Sequence, residues 1–145
     1  MMMSRITKDG FFITISSKDQ VAVRKSTSSF TVRLKHPFYV GRDWEVGLHQ
    51  LILDNRESVG KTLDFVTDVG VPVPDNRTED DAGTLQYLYM PATGHVTQDF
   101  KVFRPVNKNH YTTILVKLQK LDGSLFNTDR SHTLVTFEFR KRRPR

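Results

Sequence analysis

Phe30-Thr31-Val32-Arg33-Leu34-Lys35-His36-Pro37-Phe38-Tyr39-Val40-Gly41-Arg42-Asp43-Trp44-Glu45-Val46-Gly47-Leu48 decides the fold. Phe30, Val32 and Leu34 alternate with Thr31, Arg33 and Lys35, the period of two that sets apolar side chains on one face of a strand and polar ones on the other. Pro37 has no N–H for a ladder. Beyond it the alternation resumes at Phe38 and Val40, then breaks at Gly41-Arg42-Asp43, where glycine and aspartate suit a turn. Trp44, Val46 and Leu48 restart the pattern against Glu45, Gly47 and His49. Leu51, Ile52 and Leu53 continue it as a run apolar on both sides, which predicts a strand covered on both faces.

Working outward, the same period recurs. Phe11, Ile13 and Ile15 alternate with Phe12, Thr14 and Ser16, and a polar link rich in Ser and Thr leads to Phe30. Leu63 to Val66 and residues 69–73 are short β-prone pieces, and residues 75–83 are predicted to be a solvated, mobile acidic loop. Leu85, Tyr87 and Tyr89 oppose Gln86, Leu88 and Met90. Phe100 and Val102 lead to Pro105. Ile114, Val116 and Leu118 run to an Asp-Gly hairpin turn at Leu121-Asp122-Gly123-Ser124. Val135, Phe137 and Phe139 close the series. The one short helix candidate is residues 55–62. The prediction is an all-β fold: an antiparallel β-sandwich of about eight strands over residues 1–139, with a jelly roll as one variant, and a basic tail at 140–145. Phe30, Val32, Leu34, Trp44, Val46, Leu48, Val135, Phe137 and Phe139 are the expected core anchors.

The 145 residues suffice for one domain that buries roughly two thirds of its unfolded surface without staples. The absence of cysteine excludes a disulfide framework and thiolate chemistry for zinc or redox. The first ten residues lack a long apolar run, and no window reaches the ~20 apolar residues of a spanning helix, so a soluble chain with no membrane span is expected. The net charge of +6 is unevenly spread: Arg140, Lys141, Arg142, Arg143 and Arg145 supply five of the 22 basic residues, leaving 17 against 16 acidic ones. Such a segment suits polyanion binding, nuclear import or a solvated chain end.

Site chemistry is sparse. His36, His49, His95, His110 and His132 are scattered with no metal-ligand spacing, and Glu79, Asp80 and Asp81 lack the alternating donors of a calcium loop. There is no Gly-x-Ser-x-Gly elbow, phosphate loop or His-Glu-x-x-His. No catalytic residue, metal or cofactor is expected. Phe11, Phe12, Phe30, Phe38, Tyr39, Trp44, Phe137 and Phe139 could stack on bases, but alternation sends most of them to the core.

Trp44-Glu45-Val46-Gly47-Leu48, Pro105-Val106, Asp122-Gly123-Ser124-Leu125-Phe126 and Leu134-Val135-Thr136-Phe137-Glu138-Phe139-Arg140-Lys141-Arg142 stand in the order seen in one family. The chain resembles the small β-rich proteins encoded by Polinton/Maverick elements and adintovirus-like double-stranded DNA viruses of animals. Those relatives usually carry a glycine before the last strand, where this chain has Asp129-Arg130-Ser131-His132. The resemblance implies a virion-associated structural protein that assembles with itself and docks to capsid components, found in the virion and, during assembly, in the host nucleus or cytoplasm. Expected partners are further copies of the chain and other virion proteins, through sheet edges and exposed Tyr39, Tyr87 or Tyr89. Two alternatives stand beside it. One is a nucleic-acid-binding module using the basic tail extended by Arg33, Lys35 and Arg42. The other is an N-terminal module of a longer virion protein.

Overall fold

The computed structural model describes residues 2–3, 9–19, 21, 28–53, 58–70, 82–97, 101–126 and 132–142. Ten strands lie among them: β1 (Met2–Met3), β2 (Gly10–Ser16), β3 (Ser29–Tyr39), β4 (Trp44–Leu53), β5 (Thr62–Thr67), β6 (Gly83–Tyr89), β7 (His95–Thr97), β8 (Phe103–Pro105), β9 (His110–Gln119) and β10 (Thr133–Lys141), with one 3-10 turn at Ser17–Asp19. Every pairing is antiparallel: β2 with β10, β3 with β9, β4 with β7 and β8, and β5 with β6. The first half of the chain thus meets the second half in reverse order, as in one long hairpin whose tip lies between β5 and β6. Rolling that hairpin deals its strand pairs alternately to two sheets, β1-β2-β10-β4-β7 with β8 also on β4, and β3-β9-β5-β6. This is the jelly-roll form of the sandwich. Eight strand positions become ten strands because β1 adds to β2 and because β7 and β8 share one position, pairing with Gln50 to Ile52 and Glu45 to Gly47 respectively.

The inward faces of both sheets form one core, and all nine expected anchors lie in it. Burying each large apolar side chain contributes roughly 1.5–3 kcal/mol. The core is not uniform along the strands. At the end bearing the β3–β4 turn, Phe11 and Phe139 stack at 5.2 Å, Phe38 meets both edge-on at 5.1 Å, Tyr111 lies 5.2 Å from Phe38, and Trp44 lies 5.6 Å from Phe11. At the other end Ile15, Leu53, Leu63, Leu88, Leu118 and Val135 supply aliphatic packing, with Phe126 buried beside them.

Three bulges adjust the alternation. On β4, Leu48 opposes Phe137 and Gln50 opposes Thr136, so His49 is an extra residue. It shifts the phase so that Trp44, Val46 and Leu48 share the core face with Leu51 and Leu53, while Ile52 is half-buried on the outer face. The expected two-sided burial of Leu51 to Leu53 is therefore a change of phase. On β6, Leu85 is the extra residue, so Leu85, Leu88 and Met90 are buried while Tyr87 and Tyr89 are exposed. On β3, residues 34–37 face only Thr112, and Lys35, His36 and Pro37 project as an exposed bulge. A lysine, a proline and a bulge on an edge strand obstruct sheet-to-sheet pairing there.

Elsewhere the expectations are revised. The helix placed at 55–62 is, in its described part, a turn closed by Lys61 N–H donating to Ser58 O at 3.0 Å, followed by the start of β5 at Thr62. Of the acidic loop at 75–83, residues 75–81 lie outside the described residues; Ala82 is buried and Gly83 opens β6. The turn at 121–124 exists, with Gly123 at φ 89° and its N–H bonded to Lys120 O at 2.9 Å. It returns the chain only as far as a Gln119–Leu125 bridge, because β10 belongs to the other sheet.

Candidate interaction surfaces

With both inner faces spent on packing, any function of the described residues lies on the outside. The outer face of the β10 sheet is tiled by its own side chains. Gly47 leaves room for Phe103, since a Cβ there would sit 3.1 Å from that ring. The Arg140 guanidinium covers the Phe103 ring at 3.4 Å while its Nε donates to Glu45 at 3.2 Å. Lys101 pairs with Glu138 at 2.5 Å, and His49 packs on Phe12 at 4.8 Å. Desolvation chiefly, and Lys101 next, hold His49 below the usual imidazole range, against a smaller opposing pull from Glu138.

A polar clasp closes the aromatic end. Tyr111 donates to Val69 O at 2.7 Å, Asn107 to Asp68 O at 2.7 Å, and Leu115 N–H to the Asp68 carboxylate at 3.0 Å. Burial raises both the Tyr111 hydroxyl, to about 12, and the Asp68 carboxyl. These groups tie the chain leaving β5 to the chain entering β9. Their hydrogen bonds are internal and structural.

The expected polyanion site is divided by the structure. Arg140 and Lys141 belong to β10, so the strand runs two residues into the segment read as tail, and Arg140 is engaged by Phe103 and Glu45. Arg142 is held through its backbone N–H to Asp43 O at 2.7 Å, which sets it beside Arg42 in the β3–β4 turn. Arg143 and Arg145 lie outside the described residues. Among the described residues no group of three His, Asp or Glu side chains gathers as for a metal, and no helix is long and apolar enough to cross a membrane.

Of the expected aromatic contacts, Tyr39 is 75% exposed and stacks on His110 at 4.1 Å and 4°, at the aromatic end of the sandwich. Tyr87 and Tyr89 lie at the opposite end, on the outer face of the β9 sheet. There Tyr89 pairs with Thr62 and Tyr87 with Asp64, which in turn opposes Gln119, itself bridged to Leu125. Lys61, Thr62, Lys120, Leu121, Asp122 and Phe126 line an adjoining shallow cavity of about 370 Å³. Val59, Tyr87, Tyr89, Leu121 and Leu125 thus make one corner holding five of the nine exposed large apolar side chains among the described residues. Tyr87 and Tyr89 are exposed, as the sequence leads one to expect; Leu121 and Leu125 look in sequence like ordinary turn neighbours.

No protein-family model matches the chain, and no curated protein matches it in sequence. Among solved structures it is similar to the Drosophila NLP core, whose crystal structure is described as giving insight into pentamer formation and histone binding. The identity is 13%, over 92% of this chain and 100% of that one, with a TM-score of 0.36. It is also similar to the infectious bursal disease virus VP2 subviral particle, at 12% identity over 88% of this chain and 31% of that one, with a TM-score of 0.24.

Proposed function

We propose that the chain is a non-catalytic, virion-associated structural protein that works by assembling with further copies of itself and docking to capsid components. The observation that carries this reading is the apolar corner of Val59, Tyr87, Tyr89, Leu121 and Leu125, since clustered exposed apolar side chains mark association surfaces where scattered ones do not. The corner is self-complementary in charge. Lys61 and Lys120 flank Asp122, whose carboxyl is held below the usual range by hydrogen bonds from Ser124. A two-fold axis through the corner sets Lys61 of one copy against Asp122 of the next, the isologous arrangement commonest in oligomers. The family resemblance supports a particle as the place of that association, and the jelly-roll topology, a form shared by capsid and non-capsid proteins alike, is compatible with it.

Sedimentation velocity at increasing micromolar concentration tests the assembly. The wild type is expected to associate, and Leu121→Glu with Tyr89→Glu, both at exposed positions, to remain monomeric while keeping the wild-type circular dichroism. A wild type that stays monomeric, or a variant that associates as the wild type does, overturns the corner as interface. Protein analysis of purified particles tests the virion assignment, which fails if the chain is absent from them.

A further inference from the structure

The aromatic end carries a second surface that self-association leaves unused. Tyr39 ends β3 directly opposite His110 on β9, and the two rings lie parallel at 4.1 Å and 4°, facing outward. The platform is held from beneath and behind. Phe38, next in the chain, points into the aromatic cluster, and Val40 N–H donates to Asn109 O at 2.9 Å. Exposed cationic residues lie to either side of it along the chain: Arg33 and Lys35 further back on the same edge strand, Arg42 in the following turn, and Lys141 and Arg142 brought alongside that turn by Arg142 N–H donating to Asp43 O. Against these five stand Asp9 and Asp43; Asp68 is occupied by Lys108 and by Leu115 N–H.

We infer that this end binds single-stranded nucleic acid, with one base stacked on the Tyr39–His110 pair and the phosphate backbone running along the cations. The pairing of a flat aromatic face with a basic track is what sequence-tolerant single-strand binders use. A duplex keeps its bases stacked on one another and offers the platform no face. The position of Tyr39 at the opposite end from Leu121 makes this surface independent of the association corner, and the two fail separately in tests.

Fluorescence anisotropy with labelled oligothymidylate and oligouridylate of about 16 nucleotides, enough for one site, and with an abasic strand of equal length, tests the inference. Tyr39→Ala is expected to weaken binding of the base-bearing strands roughly tenfold, the size of one lost base stack, and to leave the abasic strand unchanged. Whichever of DNA and RNA binds tighter names the natural source. Tyr39→Phe, which keeps the ring, is expected to bind as the wild type does. Arg42→Ala is expected to flatten the log–log salt dependence by about 0.7, one phosphate contact on a single strand. Tyr39→Ala binding that equals wild type on oligothymidylate and oligouridylate overturns the inference, and so does equal wild-type affinity for abasic and base-bearing strands. Because Tyr39 is 75% exposed, loss of fold is a remote outcome; unchanged circular dichroism and an unchanged sedimentation profile exclude it.

Discussion

The two ends of the core are built from different material. Toward the β3–β4 turn, Phe11, Phe38, Trp44, Tyr111 and Phe139 hold each other by ring-on-ring geometry, and a polar clasp of Asp68, Asn107 and Tyr111 closes the end. Toward the β9–β10 connection, Ile15, Leu53, Leu63, Leu118 and Val135 pack as aliphatic side chains around Phe126 and Phe65, the latter meeting Phe137 edge-on at 5.9 Å, and the outer surface carries the apolar corner. Aromatic pairs add about 0.5–1.5 kcal/mol beyond their buried area because their quadrupoles prefer particular orientations. One end therefore has more of its geometry specified by ring contacts and the other relies more on aliphatic volume, and the two candidate surfaces divide between them in the same way: a fixed platform at the aromatic end, a patch for association at the aliphatic end.

Phe139 and Val135 offer the sharpest contrast, lying on the same face of β10 and both fully buried. Phe139→Ala is expected to lower stability by about 4 kcal/mol. Val135→Ala, which removes less apolar surface, is expected to cost about 2 kcal/mol. Equal losses in urea unfolding would break the distinction between the ends. Next in size is Tyr111→Phe, expected to cost about 1.5 kcal/mol because Val69 O loses its donor in a buried place. The Tyr111 hydroxyl is raised to about 12, so the folded state retains this proton more firmly than the unfolded chain, whose tyrosine titrates near ~10. Its contribution is fully present below the unfolded value and is lost as pH rises through about 12. Tyr111→Phe should remove that alkaline decline; an identical decline in the variant assigns it to other groups. The smallest effect is expected on β5, where burial raises Asp64 although Thr84 donates to it at 2.6 Å. A raised carboxyl favours the protonated folded state, so stability falls as pH climbs from the unfolded value through the folded one. Asp64→Asn keeps an acceptor for Thr84 and is expected to raise the urea midpoint at pH 7 slightly, with no gain near pH 3. A lower midpoint at pH 7 shows that the charge is needed.

Period-two alternation revealed the strands because each has one face in the core, and it located Phe30, Trp44 and Phe139 without error. It failed where a single extra residue changes phase. At His49 and Leu85 the local composition is unremarkable, and the bulge exists only because the partner strand is one residue shorter across the pair. In sequence Val102 alternates like a strand residue, yet it is exposed and its neighbour Phe103 covers Gly47 from outside. The basic run at the C-terminal end reads as a uniform tail in sequence, whereas Arg140 belongs to an aromatic and ionic tile assembled from β4, β8 and β10. The Tyr39–His110 platform was half-legible. The sequence predicts an exposed Tyr39, but His110 lies 71 positions away in the chain and only strand pairing brings it alongside.

The rolled hairpin has a consequence for the order in which the molecule can be made. β9 lies inside its sheet between β3 and β5, and β10 lies inside the other between β2 and β4. β9 and β10, which emerge from the ribosome after the other eight described strands, are therefore the two that each sheet needs in its interior, while β2, β3, β4 and β5 wait with unsatisfied ladders. Long-range pairing of this kind folds slowly, and exposed strand edges in the interval invite aggregation. The nascent chain has little to gain from folding until residue 141 has emerged, so synthesis at high local concentration would favour a chaperone, or a partner that covers those edges, during the wait.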